Sequence, residues 1–249
     1  MHHFLIRHVT QRPVGRHQRG FTLVEMSVVL AAIGLILGAV ALGSNLQRSA
    51  GYQRISSNFV QGWSAAYDAF TAGTGTVPGD IQATPSGRVN ASRDGAASTS
   101  PTPLCGLELR NAFLAAGIQL PSGRATGSED HAVYLDSNGN PQDVQVCFQN
   151  VPWAEPGASE GTYVTRNRNV MVLMRLTPAL AYLLDSQLDG NVDARFGRLR
   201  EDSQSNITTS NLVGGRWSVD ERMAYNSTVA TTLDESQVAV VTGQLLMNR

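Results

Sequence analysis

Arg19-Gly20-Phe21-Thr22-Leu23-Val24-Glu25-Met26 opens an uncharged, mostly apolar stretch that runs to Gln47. A basic leader ends in a small residue, and an apolar span follows with one acid at its mouth. About 20 apolar residues suffice to cross a bilayer as a helix. Four arginines (Arg7, Arg12, Arg16, Arg19) precede the span and no basic residue follows until Arg48, which places the leader on the cytoplasmic side. A secretory signal is cut after its apolar region at an Ala-x-Ala-like site. Here the small residue lies before that region, so an ordinary signal peptide fits poorly. An ionisable group at the mouth of a membrane span is costly enough to be read as functional, which makes Glu25 the first candidate residue.

Gly20 to Glu25, Gly-Phe-Thr-Leu-Val-Glu, resembles the processing site of type IV pilins and of the pseudopilins of type II secretion. The resemblance covers six consecutive residues, the basic leader before them and the apolar span after. It implies that a prepilin peptidase cuts between Gly20 and Phe21 and methylates the new N-terminal Phe21. It implies further that Glu25 serves assembly, and that an inner-membrane platform adds the subunit to others in a pilus or pseudopilus. A low-abundance tip subunit with a binding role is the alternative within the same family. Many pilins carry a proline where this chain has Leu42, a departure that leaves the course of the helix inside a filament open.

The implied organisation is a cleaved cytoplasmic leader over 1–20, a long N-terminal helix over 21–72 with about 21–43 in the inner membrane, and a periplasmic globular domain over 73–249. The long helix, carrying its domain at one end, is the lollipop shape of the family. Disulfides form and persist in the periplasm. A Cys105–Cys147 bond is therefore expected, the alternative being two buried thiols.

The formal net charge of −1 becomes −5 once the leader and its four arginines are removed. Mild acidity argues against non-specific nucleic-acid binding, which needs basic surface to release counterions. Leu46, Tyr52, Ile55, Phe59, Trp63, Ala66, Tyr67 and Phe70 recur at helical steps, one apolar face that a domain must cover. Residues 73–103, rich in Gly, Ser, Thr and Pro, read as an exposed loop around a Pro78-Gly79 turn. Leu107, Asn111, Leu114 and Ile118 suggest a short helix. Residues 132–135 and 144–148 alternate around Asn138-Gly139, the strongest short hairpin signal, with Val144, Val146 and Phe148 on one face and Cys147 on the other. Residues 169–176 suit a central strand. Thr177-Pro178 opens a helix that Gly190 ends, and 238–246 reads as a last strand. The fold class is α+β, a long helix packed on a small antiparallel sheet.

The inventory argues against catalysis, since four of the five histidines lie in the leader and only His131 remains. A nucleophile needs an activating base, and a zinc site needs several N or S ligands. Asp185, Asp189 and Asp193 lie around a helix end and a glycine turn, where oxygen-rich loops can hold Ca²⁺. They lack the EF-hand spacing, and helix capping with surface turns explains them more plainly. No other cofactor is expected.

Overall fold

The structure, a computed structural model, describes residues 20–98, 101–136, 138–217 and 240–248, without the side chains at 41, 42, 44 and 45. The chain divides into two units, the first ending at Asn45 and the second running from Leu46. The first unit holds most of α1 (Leu23–Arg54). Its segment Leu23–Val40 has a mean hydropathy of 2.4, is wholly unburied, and is the one helix among the described residues long and apolar enough to cross a membrane.

In the second unit the helical run continues as a π-helical turn, Ile55–Val60, and then α2 (Gln61–Thr74). The helical run expected over 21–72 thus continues to Thr74, with one π turn changing its local geometry. The physical reason lies in the spacing of the core residues. Ile55, Phe59, Trp63 and Tyr67 follow one another at four-residue steps and are all buried. In an α-helix of 3.6 residues per turn such a row drifts by about 40° at each step. A wider π turn absorbs part of that drift and keeps the row on the core. Leu46 does not belong to this face, being 71% exposed.

The sheet is antiparallel throughout. Its strands are β1 (Leu104–Cys105), β2 (His131–Leu135), β3 (Pro141–Pro156), β4 (Tyr163–Leu176), β5 (Leu199–Glu201) and β6 (Val241–Leu246). They run in the order β1-β3-β4-β6-β5, with β2 also paired to β3. The β2–β3 hairpin forms as the Asn-Gly signal predicts, in the register Ala132↔Val144. Asp136 closes it by accepting from the backbone N–H groups of Asn138 and Asn140 at 2.9 and 2.8 Å.

Strand alternation divides the interior into two layers. Val144, Val146 and Phe148 of β3, with Met171 and Leu173 of β4, meet the aromatic face of α2 in the main core. Cys147, Val151 and Trp153, with Val170 and Val172, form a smaller cluster on the reverse face. Cys105 and Cys147 stand opposite each other in the β1–β3 register and are disulfide-bonded.

Several boundaries differ from expectation. The strand expected over 169–176 begins at Tyr163, and β3 continues to Pro156, so residues 157–162 form a short connection between the two. The added half of β4 is polar and arginine-rich, and Pro152 sits in its partner strand. Neither looks like a strand locally. The pairing is set by the long β3–β4 register, and Pro152 lies beyond the stretch paired by β1 and β2, where an edge tolerates it. The last strand starts at Val241. Residues 238 and 239 lie outside the described residues.

The helix expected after Cys105 is α4 (Gly106–Ala115), but it turns a different side inward. Leu109 and Phe113 are fully buried, whereas Leu107 and Leu114 are 63% and 56% exposed. The aromatic ring settles the choice: Phe113 packs against Trp63, Phe70 and Phe148. Residues 73–98 are also better packed than their composition suggests. Val77, Val89 and Asn90 are buried, and a one-turn helix, α3 (Ala91–Asp94), lies within the segment. Asp80 ties the turn together by accepting from the N–H groups of Ile81, Ser86 and Gly87 and from the Ser86 hydroxyl. Gly79 is required there, because φ is +74° and a Cβ would come within 2.9 Å of Asn90 Cα. α5 (Pro178–Leu188) forms as expected, with Thr177 Oγ1 accepting from Leu180 N and Pro178 in the first turn.

Candidate functional site

Gly20, Phe21 and Glu25 lie together at the start of α1. Gly20 is exposed and precedes the helix, and the Phe21 side chain is 81% exposed. Thr22 is the residue before the helix, and its hydroxyl accepts from Glu25 N at 3.2 Å. Glu25 Oε2 in return accepts from Thr22 N at 2.8 Å and from Thr22 Oγ1 at 2.9 Å. This is a capping box, in which a Thr and a Glu three residues on satisfy each other's orphan backbone donors. A negative group in the first helical turn also complements the positive end of the helix dipole.

Glu25 has a local partner in Thr22, a role the Thr-x-x-Glu pattern itself signals. Both bonds use Oε2, and Oε1 makes no hydrogen bond among the described residues. One oxygen holds the helix start and the other faces outward.

Residues 15–41 match the family model of the prokaryotic N-terminal methylation motif. The chain carries the type IV prepilin motif. The motif contains Gly20, Phe21, Thr22 and Glu25 and ends within the apolar part of α1. No curated protein and no solved structure matches the chain. The motif supports a type IV pilin-like or pseudopilin precursor, and the one apolar helix of that length among the described residues fits a single-pass membrane anchor.

The second candidate cluster lies at the far end of α5. Asp185 Oδ2 accepts from Trp217 Nε1 at 2.9 Å and from Asp193 N at 2.8 Å. Asp189 Oδ2 accepts from Arg198 N and Leu199 N, and Asp193 Oδ1 from Arg195 N and Phe196 N. All three carboxylates therefore hold the 189–199 turns by their backbone donors. Among the described residues no group of three or more His, Cys, Asp or Glu is arranged to hold a metal ion. Gly197 is required by the same geometry, since a Cβ there would meet Asp189 Oδ2 at 2.1 Å.

Asp185 carries the cost of this arrangement. Its Oδ1 is buried without a partner. Burial, aided by the repulsion of the neighbouring Asp189 carboxylate, pushes Asp185 up to about 7. The folded value lies above the ordinary one, so the folded state holds the extra proton. The stability this contributes is fully present below about pH 4 and is lost as the pH rises toward 7. Chemical unfolding at a series of pH values should show a decline on the order of 2–4 kcal/mol across that window. In Asp185→Asn, which keeps an acceptor for Trp217 and Asp193 without the charge, the decline should disappear. An unchanged pH profile in the variant would show that Asp185 is ionised in the folded protein throughout.

His131 stands between two carboxylates. Its Nδ1 is 3.0 Å from Asp143 Oδ2 and its Nε2 is 3.4 Å from Asp130 Oδ2. Among the described residues neither ring nitrogen faces a hydroxyl or thiol. Arg110 pairs with the buried Asp130, and Arg175 reaches Asp143 at 3.0 Å. The cluster braces the β2–β3 hairpin against its surroundings.

Proposed function

We propose that the chain is a structural subunit of a type IV pilus or of a related pseudopilus. Prepilin peptidase cuts the precursor after Gly20 and methylates Phe21. The apolar part of α1 holds the product in the inner membrane with its globular unit in the periplasm. An assembly platform then adds it to other subunits in a filament. The observation that carries this reading is the motif over residues 15–41, coincident with a helix that leaves its apolar side chains uncovered. A side chain unburied within its own chain is suited to lipid first and to neighbouring helices afterwards.

In this reading the role of Glu25 is electrostatic. Its free Oε1 offers a carboxylate oxygen to the methylated amino group of Phe21 in a neighbouring subunit, while Oε2 keeps its bonds to Thr22. The globular unit supplies the filament surface. No catalytic role is assigned to it, in keeping with the structural nature of the motif's family.

Mass spectrometry of filaments sheared from the native cells tests the proposal. A chain beginning at N-methylated Phe21 is expected in the sheared fraction. High abundance identifies a major subunit, and trace abundance a tip or minor one. Processed chain that stays in the membrane and never reaches the sheared fraction identifies a secretion pseudopilin. An uncut N-terminus in cells with an active prepilin peptidase would overturn the reading.

A further inference from the structure

The globular unit contains a cavity of about 210 Å³ between the end of β3, the start of β4 and the turns after α5. Two guanidinium groups, Arg195 and Arg200, line it, and among the described residues no Asp or Glu does. Tyr163 and Phe196 supply ring walls with centroids 5.8 Å apart, and Pro156 and Ile207 add apolar surface.

Arg200 is only 8% exposed, yet no carboxylate lies within ion-pairing distance of it among the described residues. Its guanidinium sits 4.1 Å above the Trp153 ring. Nε donates to Gly197 O, and Nη1 donates to Ala154 O and Ser205 O, while Nη2 makes no hydrogen bond among the described residues. Asp193, Asp189 and Glu155 balance its charge only from beyond contact. Arg195 is half-buried and similar: Nε donates to Gln204 Oε1 and Nη1 to Val213 O, and Nη2 makes no hydrogen bond among the described residues. Burying a charge without a paired counter-charge is expensive. The buried Arg200 and the half-buried Arg195, lining one cavity with no acid among its described walls, describe a place prepared for an anion.

We propose that this cavity binds a small organic carboxylate built on a ring. The carboxylate pairs with the free Nη2 groups of Arg195 and Arg200, and the ring lies against Tyr163 and Phe196. Planar guanidinium forks suit a carboxylate. The volume falls below the roughly 300–1,000 Å³ of sites for drug-sized ligands, which limits the occupant to about one ring. An aromatic acid and an acidic monosaccharide share this chemistry. The proposal uses none of the prepilin-motif residues, so it can fail while the assembly reading stands. A minor or tip subunit is where such a site would act.

Saturation-transfer NMR and calorimetry on the full-length chain in detergent micelles, with sodium benzoate and sodium glucuronate as probes, test it. At least one of the two should bind at millimolar concentration or tighter, and which one does so separates the aromatic from the sugar acid. Arg195→Gln should weaken that probe by roughly tenfold to a hundredfold, the loss of a hydrogen bond to a charged group, with the fold retained by circular dichroism. Phe196→Leu, which keeps an apolar wall but removes the ring face, should weaken benzoate in particular if benzoate is the ligand. Binding of neither probe would overturn the proposal. So would equal binding by Arg195→Gln, or equal competition from inorganic phosphate. In those cases the guanidinium groups serve only as staples between loop carbonyls.

Discussion

Glu25→Ala should leave cleavage after Gly20 largely intact and reduce the chain recovered in sheared filaments by roughly a hundredfold. The argument begins at the capping box. Thr22 and Glu25 satisfy each other's backbone donors using only Oε2 of the carboxylate, which leaves Oε1 for a neighbour's methylated amine. Removing one partner of a desolvated ion pair leaves the other charge unpaired and costs about 3–5 kcal/mol. Even 3 kcal/mol is roughly a hundredfold in an association equilibrium. Loss of the capping contact alone costs about 1 kcal/mol, too little for such a defect. Glu25→Gln separates the two contributions. Glutamine can still complete a capping box but carries no charge, so it should fail in assembly nearly as severely as alanine. If Glu25→Gln assembles normally, the residue acts through helix capping and the electrostatic role is wrong. Immunoblots of membrane and sheared fractions, with the N-terminus of the membrane form read by mass spectrometry, distinguish these results.

Trp63→Ala should destabilise the globular unit by about 3–5 kcal/mol, the range for emptying a buried aromatic site. Trp63 is fully buried in α2. It meets Phe113 of α4 edge-on at 5.5 Å and Phe148 of β3 at 6.3 Å, so one side chain joins the helix, the sheet and the small helix. Its Nε1 also donates to Glu129 O at 3.1 Å, and truncation leaves that carbonyl without its partner. The control is Leu114→Ala on the exposed side of α4, expected to change stability by no more than about 0.5 kcal/mol. Guanidinium unfolding of the full-length chain in detergent, followed by circular dichroism, measures both. If Leu114→Ala destabilised the chain as much as Trp63→Ala, the orientation of α4 would be wrong.

The acidic residues after α5 show what a list of residue types leaves open. Asp185, Asp189 and Asp193 are spaced as oxygen ligands can be spaced, and equally as turn-forming acceptors can be. Their hydrogen bonds to Trp217, Asp193, Arg198, Leu199, Arg195 and Phe196 show the second use. Trp217 lies 32 residues from Asp185, so the decisive partner is invisible to any local reading. The same is true of Arg200, whose burial depends on carbonyls from β3 and from the turn after β5.

Local chemistry is enough for the features that need no distant partner. The apolar span, the basic leader, the residue pair at the proposed cut, the Thr-x-x-Glu helix start, the Asn-Gly hairpin and the Thr177-Pro178 cap are all written in consecutive residues. Each rests on hydrogen bonds or hydrophobicity within a few positions of the chain. Tertiary structure alone decided that the polar segment before Asn169 is a strand, that α4 buries Leu109 and Phe113 rather than Leu107 and Leu114, and that a π turn separates α1 from α2. In each case the local pattern is ambiguous or contrary, and the outcome depends on which surface is available to be covered. β3 supplies hydrogen-bond partners to a segment that would otherwise remain in water. The aromatic cluster around Trp63 and Phe148 draws in Phe113 because a buried ring removes more apolar surface from water than an exposed leucine returns to it.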